Sequence, residues 1–116
     1  MSERKIVAQE LTTLFSCLSN PDRIRIIEEL SHGEKDVKTL STSLDISQSS
    51  TSQHLSKLKS LRLVEERKEN KHRFYHLVAP ILAEWVLEGL KYSELYLVGS
   101  SDFNKLIKKA KKKWSC

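Results

Sequence analysis

Two short amphipathic segments meet at Leu44-Asp45-Ile46-Ser47, and this junction constrains the fold more than any other stretch of the chain. Upstream of it, Val37, Leu40 and Leu44 share one face of a helix running from about Asp36 to Leu44. Downstream, Ser47 is a natural N-cap, because its hydroxyl can accept a hydrogen bond from a free backbone N–H of the first turn. Leu55, Leu58 and Leu61 then recur at i, i+3, i+6, with Thr51 at the upper end of the same stripe, and carry a helix to about Leu61. Between the two, Asp45 occupies the position where the backbone turns left-handed, a conformation Asp tolerates better than most side chains. The strongest β signal comes next. Leu63–Lys68 and His72–Leu77 flank Glu69-Asn70-Lys71, which has the chemistry of a turn, and together they predict a hairpin with a charged tip.

The rest of the chain is helical in pattern, and three Gly and two Pro in 116 residues leave little turn chemistry for anything else. Val7, Leu11, Leu14, Phe15 and Leu18 predict a first helix over Glu3 to Leu18. Asn20-Pro21-Asp22 then starts a second: Asn caps the free N–H groups, Pro is pre-set for the first helical position, and Asp favours the positive end of the dipole. Ile24, Ile27 and Leu30 give it an apolar face, and His32-Gly33 ends it. After Pro80, a fifth helix carries Ile81, Leu82, Trp85, Val86, Leu90, Leu95 and Tyr96, a stripe broad enough to predict burial against a partner as well as the core. Gly99-Ser100-Ser101 interrupts it. A basic amphipathic segment follows from Asp102, with Phe103, Leu106, Ile107, Ala110 and Trp114 on one face. The expected fold is therefore mainly α with one β-hairpin, a winged helix-turn-helix of five or six helices. Residues 1–98 are expected to form this winged-helix domain, which the charge pattern and resemblance below make a DNA-binding and dimerisation domain, and residues 99–116 a basic C-terminal helix or tail.

A net charge of +5 invites a nucleic-acid partner, but its distribution matters more than its sum. From Phe103 onward there are six Lys and no acid, so the tail sets the high pI. Within the body, Ser47 to Arg73 holds seven basic and three acidic residues, while the stretches on either side are net acidic. A local positive surface of this kind suits the phosphate backbone of double-stranded DNA. On the fourth helix Ser47 caps, and Gln48, Ser49, Ser50, Gln53, His54 and Lys57 are expected on the face away from Leu55 and Leu58. Gln can bond adenine through two atoms, Ser donates or accepts, and Lys reaches guanine or phosphate. In the hairpin, Arg67, Lys68, Lys71 and Arg73 are placed to meet phosphates or a minor groove. The same charges would also protect an edge strand from aggregation.

Leu14 to Ile27, Ile46 to Leu55 with Leu58 and Leu63-Val64, and Arg73-Phe74-Tyr75-His76-Leu77 together resemble the ArsR/SmtB repressors, over roughly residues 7 to 90. The resemblance implies a transcriptional repressor that forms a homodimer through its first and fifth helices and sets two recognition helices into a palindromic operator. It implies that Val7, Leu11 and Leu14 of the first helix and Trp85, Tyr92 and Tyr96 of the fifth lie at the dimer interface. It also implies release by an inducer, and here the sequence departs from the family. The thiolate-bearing motif of the third helix falls on Asp36-Val37-Lys38, and the fifth helix holds Glu84, Glu88 and Glu94 but no His. Soft-metal and zinc sites draw on Cys and His, so no metal site and no cofactor are expected.

Cys17 and Cys116 are the two cysteines, too few for a disulfide scaffold and compatible with a reducing compartment. As a possible redox pair they define an alternative function, a redox- or sulfur-responsive repressor. Cys17 also reads as a small buried hydrophobe. A further alternative, a winged-helix protein-interaction module, would show aromatic or aliphatic anchors where this chain carries Gln and Ser. With no nucleophile–base pairing or phosphate loop, an enzyme is not expected. Neither a membrane span nor a signal-like N-terminus is found, so the expected compartment is the cytoplasm. The tail is expected to pack its apolar face as a sixth helix, with DNA contact through its lysines or a membrane surface as the other uses open to it.

Overall fold

In the computed structural model, residues 2–96 and 101–115 are described, excepting the side chains of 101, 103 and 115. The chain forms two compact units, residues 1–78 and 79–116. In the first, α1 spans Glu3–Leu18 and α2 Pro21–Ser31. Asn20 caps α2 as its side chain predicts, its Oδ1 accepting from the N–H groups of Asp22 at 2.9 Å and Arg23 at 3.1 Å. A short strand β1, Lys35–Asp36, leads into α3, Val37–Leu44. Asp45 follows with φ 55° and ψ 47°, the left-handed residue expected at the junction, and Ile46 N–H returns to the Ser41 carbonyl at 3.2 Å. The next helix, α4, runs over Gln48–Ser60 with Ser47 as its N-cap.

Arg62, at φ 60°, turns the chain out of α4, and Leu63 N–H closes on the Leu58 carbonyl at 3.0 Å. The hairpin strands are β2, Val64–Glu69, and β3, His72–Leu77, paired from Glu69 with His72 to Val64 with Leu77. Asn70 takes φ 55° at the tip, within the tolerance of its short polar side chain. The sheet has three antiparallel strands in the order β1-β3-β2 rather than the hairpin alone. β1 pairs Lys35 with Tyr75 and Asp36 with Phe74. At two residues it is too short to show an alternating pattern in the sequence, and only the approach of β3 makes it a strand.

The core lies where these elements converge. Ile26, Ile27 and Leu30 of α2, Leu40 and Leu44 of α3, and Thr51, Leu55 and Leu58 of α4 are buried with Val64 of β2 and Tyr75 of β3. Thr51 is accommodated because its hydroxyl donates to the Ser47 carbonyl at 2.9 Å, leaving its methyl group to pack. Each Leu or Ile withdrawn from water adds about 1.5–3 kcal/mol, so this wedge holds α3 and α4 rigidly against the sheet.

The second unit is a pair of helices, α5 over Ile81–Tyr96 and α6 over Ser101–Ser115. They pack together, with Lys111 Nζ donating to Glu94 Oε2 at 2.6 Å, and Leu82 and Ile107 are buried. The expected sixth helix is thus present. The predicted break at Gly99 and Ser100 lies outside the described residues.

Candidate nucleic-acid interface

Burying Thr51, Leu55 and Leu58 forces the opposite side of α4 outward, and that side carries Ser49, Gln53, Ser56 and Ser60. Ser52 and Lys57 flank it, and Gln48, two turns before Leu55 and so on the Leu55 side rather than opposite it as expected, is exposed as the first residue of the helix. Ser47 and Ser50 bond to each other. Ser47 Oγ accepts from Ser50 N–H at 3.0 Å and donates to Ser50 Oγ at 3.0 Å. Their hydroxyls set where the helix starts, leaving Gln48, Ser49 and Gln53 to face solvent from its first two turns.

His54 differs from expectation. It sits beside the buried stripe with its side chain only 17% exposed, turned toward α2. Its Nδ1 accepts from Arg23 Nε at 3.3 Å, and its Nε2 lies 3.6 Å from Asp22 Oδ2. Arg23 Nη1 in turn donates to the Cys17 carbonyl at 3.0 Å, so one guanidinium ties the ends of α1 and α2 to the middle of α4. The helical period explains the difference: one step back from Leu55 lands at the margin of the buried face, not opposite it.

A recess of about 440 Å³ opens between α4 and the hairpin. Gln48 and Ser52 line it from α4, Lys71, His72 and Arg73 from the hairpin, and Asp36, Val37 and Lys38 from the start of α3. Three basic side chains, Lys38, Lys71 and Arg73, therefore face the edge of α4. The Asp36 carboxyl is already engaged: its Oδ1 accepts from Thr39 N–H at 2.8 Å, and bonding to Thr39 holds it below the usual aspartate range. Ser52 and Lys38 belong to this surface and were not among the expected site residues. Ser52 was legible as one turn beyond Gln48. Lys38 was not, because its approach depends on β1 and β3 pairing.

The hairpin's basic residues divide into two kinds. Lys68 and Lys71 are exposed near its tip, and Lys71 and Arg73 reach the recess. Arg67, expected beside them, is instead clamped. Its Nη2 donates to Glu34 Oε1 at 2.6 Å, its Nη1 to Glu69 Oε2 at 2.8 Å, and its guanidinium lies 4.8 Å over the Phe74 ring. The bonded guanidinium holds the Glu34 carboxyl below the usual glutamate range. Tyr75 Oη donates to Glu66 Oε2 at 2.9 Å, which lowers that carboxyl as well and braces β2 against β3. Carboxylates brace the hairpin along its strands, and its lysines stand exposed near the tip.

The residues at the family's metal positions do not fit a metal. Asp36 is spent on capping α3, Lys38 brings a positive charge, Glu88 pairs with Lys91 at 3.1 Å and Glu94 with Lys111. Among the described residues, no group of three His, Cys, Asp or Glu is placed to hold an ion. Cys17 is 1% exposed and free, packed as a small apolar side chain, and Cys116 lies outside the described residues. Of the side chains expected at a dimer interface, Val7, Leu11, Trp85, Tyr92 and Tyr96 are exposed, and Leu14 is half-buried. Ile6 and Phe15 extend the exposed apolar surface of α1.

Comparison with known proteins agrees with this geometry. The model of the bacterial regulatory proteins of the arsR family matches residues 20–66, the span from the cap of α2 into β2. A transcriptional repressor SmtB homolog of Synechocystis sp. is 34% identical over 70 residues, which cover 60% of this chain and 53% of that protein. The chain spans about half to three-fifths of the length of the curated relatives it matches. Among solved structures, NolR from Sinorhizobium fredii superposes with a TM-score of 0.69 at 31% identity, covering 85% of this chain and 97% of that one. A homodimeric winged helix-turn-helix DNA-binding domain from Mycobacterium bovis gives 0.69 at 25% identity, covering 84% and 94%. With its α3–α4 junction, its hairpin and its similarity to NolR along nearly that whole chain, the protein belongs to the ArsR family of bacterial regulatory proteins, on a winged helix-turn-helix fold.

Proposed function

We propose that this chain is a sequence-specific DNA-binding transcriptional repressor, acting in the cytoplasm as a homodimer on a palindromic operator. The observation that carries the reading is the exposed Gln48, Ser49 and Gln53 at the start of α4, next to a recess lined by Lys38, Lys71 and Arg73. The amide groups are suited to base edges in a major groove, and the flanking cations to the phosphates beside it. Lys57 and Lys68 add phosphate contacts, while Ser47 and Ser50 set the helix start and His54 and Arg67 hold α4 and the hairpin in position. The second copy is supported by the exposed apolar side chains of α1 and α5 and by the homodimeric relative.

The test starts from a palindrome selected by the wild-type protein out of random-sequence duplexes. In the Q48A/Q53A variant, affinity for that palindrome is expected to fall about tenfold or more for each base left unread, toward the random-duplex level. Circular dichroism should stay unchanged. An unaltered ratio of specific to random binding would remove α4 from the reading role.

A further inference from the structure

The net positive charge of this protein comes from one helix. Residues 1–100 hold fourteen basic and fourteen acidic side chains, whereas α6 carries six Lys and one Asp. The helical period sorts these lysines onto one side: Lys105, Lys108, Lys109 and Lys112 recur at i, i+3, i+4, i+7, all exposed and opposite the buried Ile107 and half-buried Ala110. Lys111 lies at the flank, where its ammonium engages Glu94 of α5 and fixes which face of α6 turns outward. A recess of about 420 Å³ lined by Glu94, Lys108, Lys111 and Lys112 opens beside this face. The packed side of α6 and its lysine row therefore lie on opposite sides of the same helix.

We infer that the lysine face of α6 is a second, sequence-independent contact for the phosphate backbone of duplex DNA, distinct from α4 and the wing. The inference rests on the DNA-binding reading above. Its chemistry favours a duplex over a lipid surface. A helix that lies in a membrane interface must insert its apolar side, and here Ile107 is 3% exposed, leaving Leu106 as the one exposed large aliphatic of α6 among its described side chains. A row of ammonium groups along roughly two helical turns instead matches a line of phosphates, each neutralised phosphate releasing a condensed counterion.

The experiment uses the full chain and a random-sequence duplex of about forty base pairs, roughly four helical turns, so that no operator need be known. For the K105Q/K108Q/K109Q variant, the slope of log affinity against log salt is expected to become shallower by about 0.9 for each phosphate no longer neutralised, up to about 2.7 per chain. The charge-preserving K105R/K108R/K109R variant should restore the wild-type slope. Gln and Arg are both good helix formers, and circular dichroism checks that α6 persists. If the wild type binds duplex and the Gln variant keeps its slope, the inference is overturned. Sedimentation of the wild type with phosphatidylserine vesicles, abolished in the Gln variant while its DNA slope is unchanged, would reassign the face to lipid. If the wild type binds neither selected nor random duplex, the DNA-binding reading itself fails, a result separable from an effect confined to α6.

Discussion

Asp36 shows how much one side chain does here. It closes β1, caps α3 through Thr39 N–H and lines the recess beside Lys38, Lys71 and Arg73. Replacing it with Ala should cost about 1 kcal/mol of stability, measured by urea unfolding near neutral pH. Its carboxyl is held below the usual aspartate value by bonding to Thr39. The folded chain therefore binds this proton less readily than the unfolded chain, and the stabilisation, complete above the unfolded value, is lost as pH falls through the folded one. Asn caps equally well but does not ionise, so D36N should keep most of the stability at neutral pH and show a flatter decline below about pH 4. An acid limb identical to wild type would mean that the Asp36 charge is not coupled to folding.

At the scale of elements, the hairpin and α4 matter through their mutual placement, and carboxylates provide it. Arg67 is held by Glu34 and Glu69, whereas Lys71 stands exposed at the tip. The two cations should therefore separate in a salt titration. Lys71→Gln is expected to reduce the slope of DNA binding by about 0.9, the value for one phosphate. Arg67→Gln should leave that slope unchanged while lowering the thermal midpoint, because it releases Glu34 and uncovers Phe74. Equal slope changes in both variants would place Arg67 on the DNA. The Arg23 bond to His54 serves α4 in the same way, holding the helix from its protein-facing side.

For the molecule as a whole, the proposed homodimer rests on the exposed apolar side chains. Val7, Leu11 and Phe15 on α1, and Trp85, Tyr92 and Tyr96 on α5, are too large and numerous to be left in water by a chain with so small a core. A V7E/F15E variant touches none of the core residues and is expected to sediment as a monomer at micromolar concentration. Its operator affinity should fall by about 10²-fold or more, because a dimer gains its second half-site at high effective concentration. A dimer that persists in this variant would exclude α1 from the interface.

Much of this protein is decided by local rules that a sequence exposes. Asn20 and Ser47 start their helices, Asp45 and Asn70 turn the chain, and the spacing of Leu55 and Leu58 chooses which side of α4 is buried, because each depends only on neighbours along the chain. Tertiary structure decided the rest. It made a strand of Lys35-Asp36, brought Lys38 to the recess, and drew His54 to Arg23 and Arg67 to Glu34, partners 31 and 33 residues apart in the chain. A charged side chain is as compatible with phosphate as with a carboxylate, and only the fold determines which one lies within reach. The helix beginning after Ser47 is evident from its cap and its leucines alone; which of its polar residues stay exposed and which are drawn into contacts with α2 was a matter of packing.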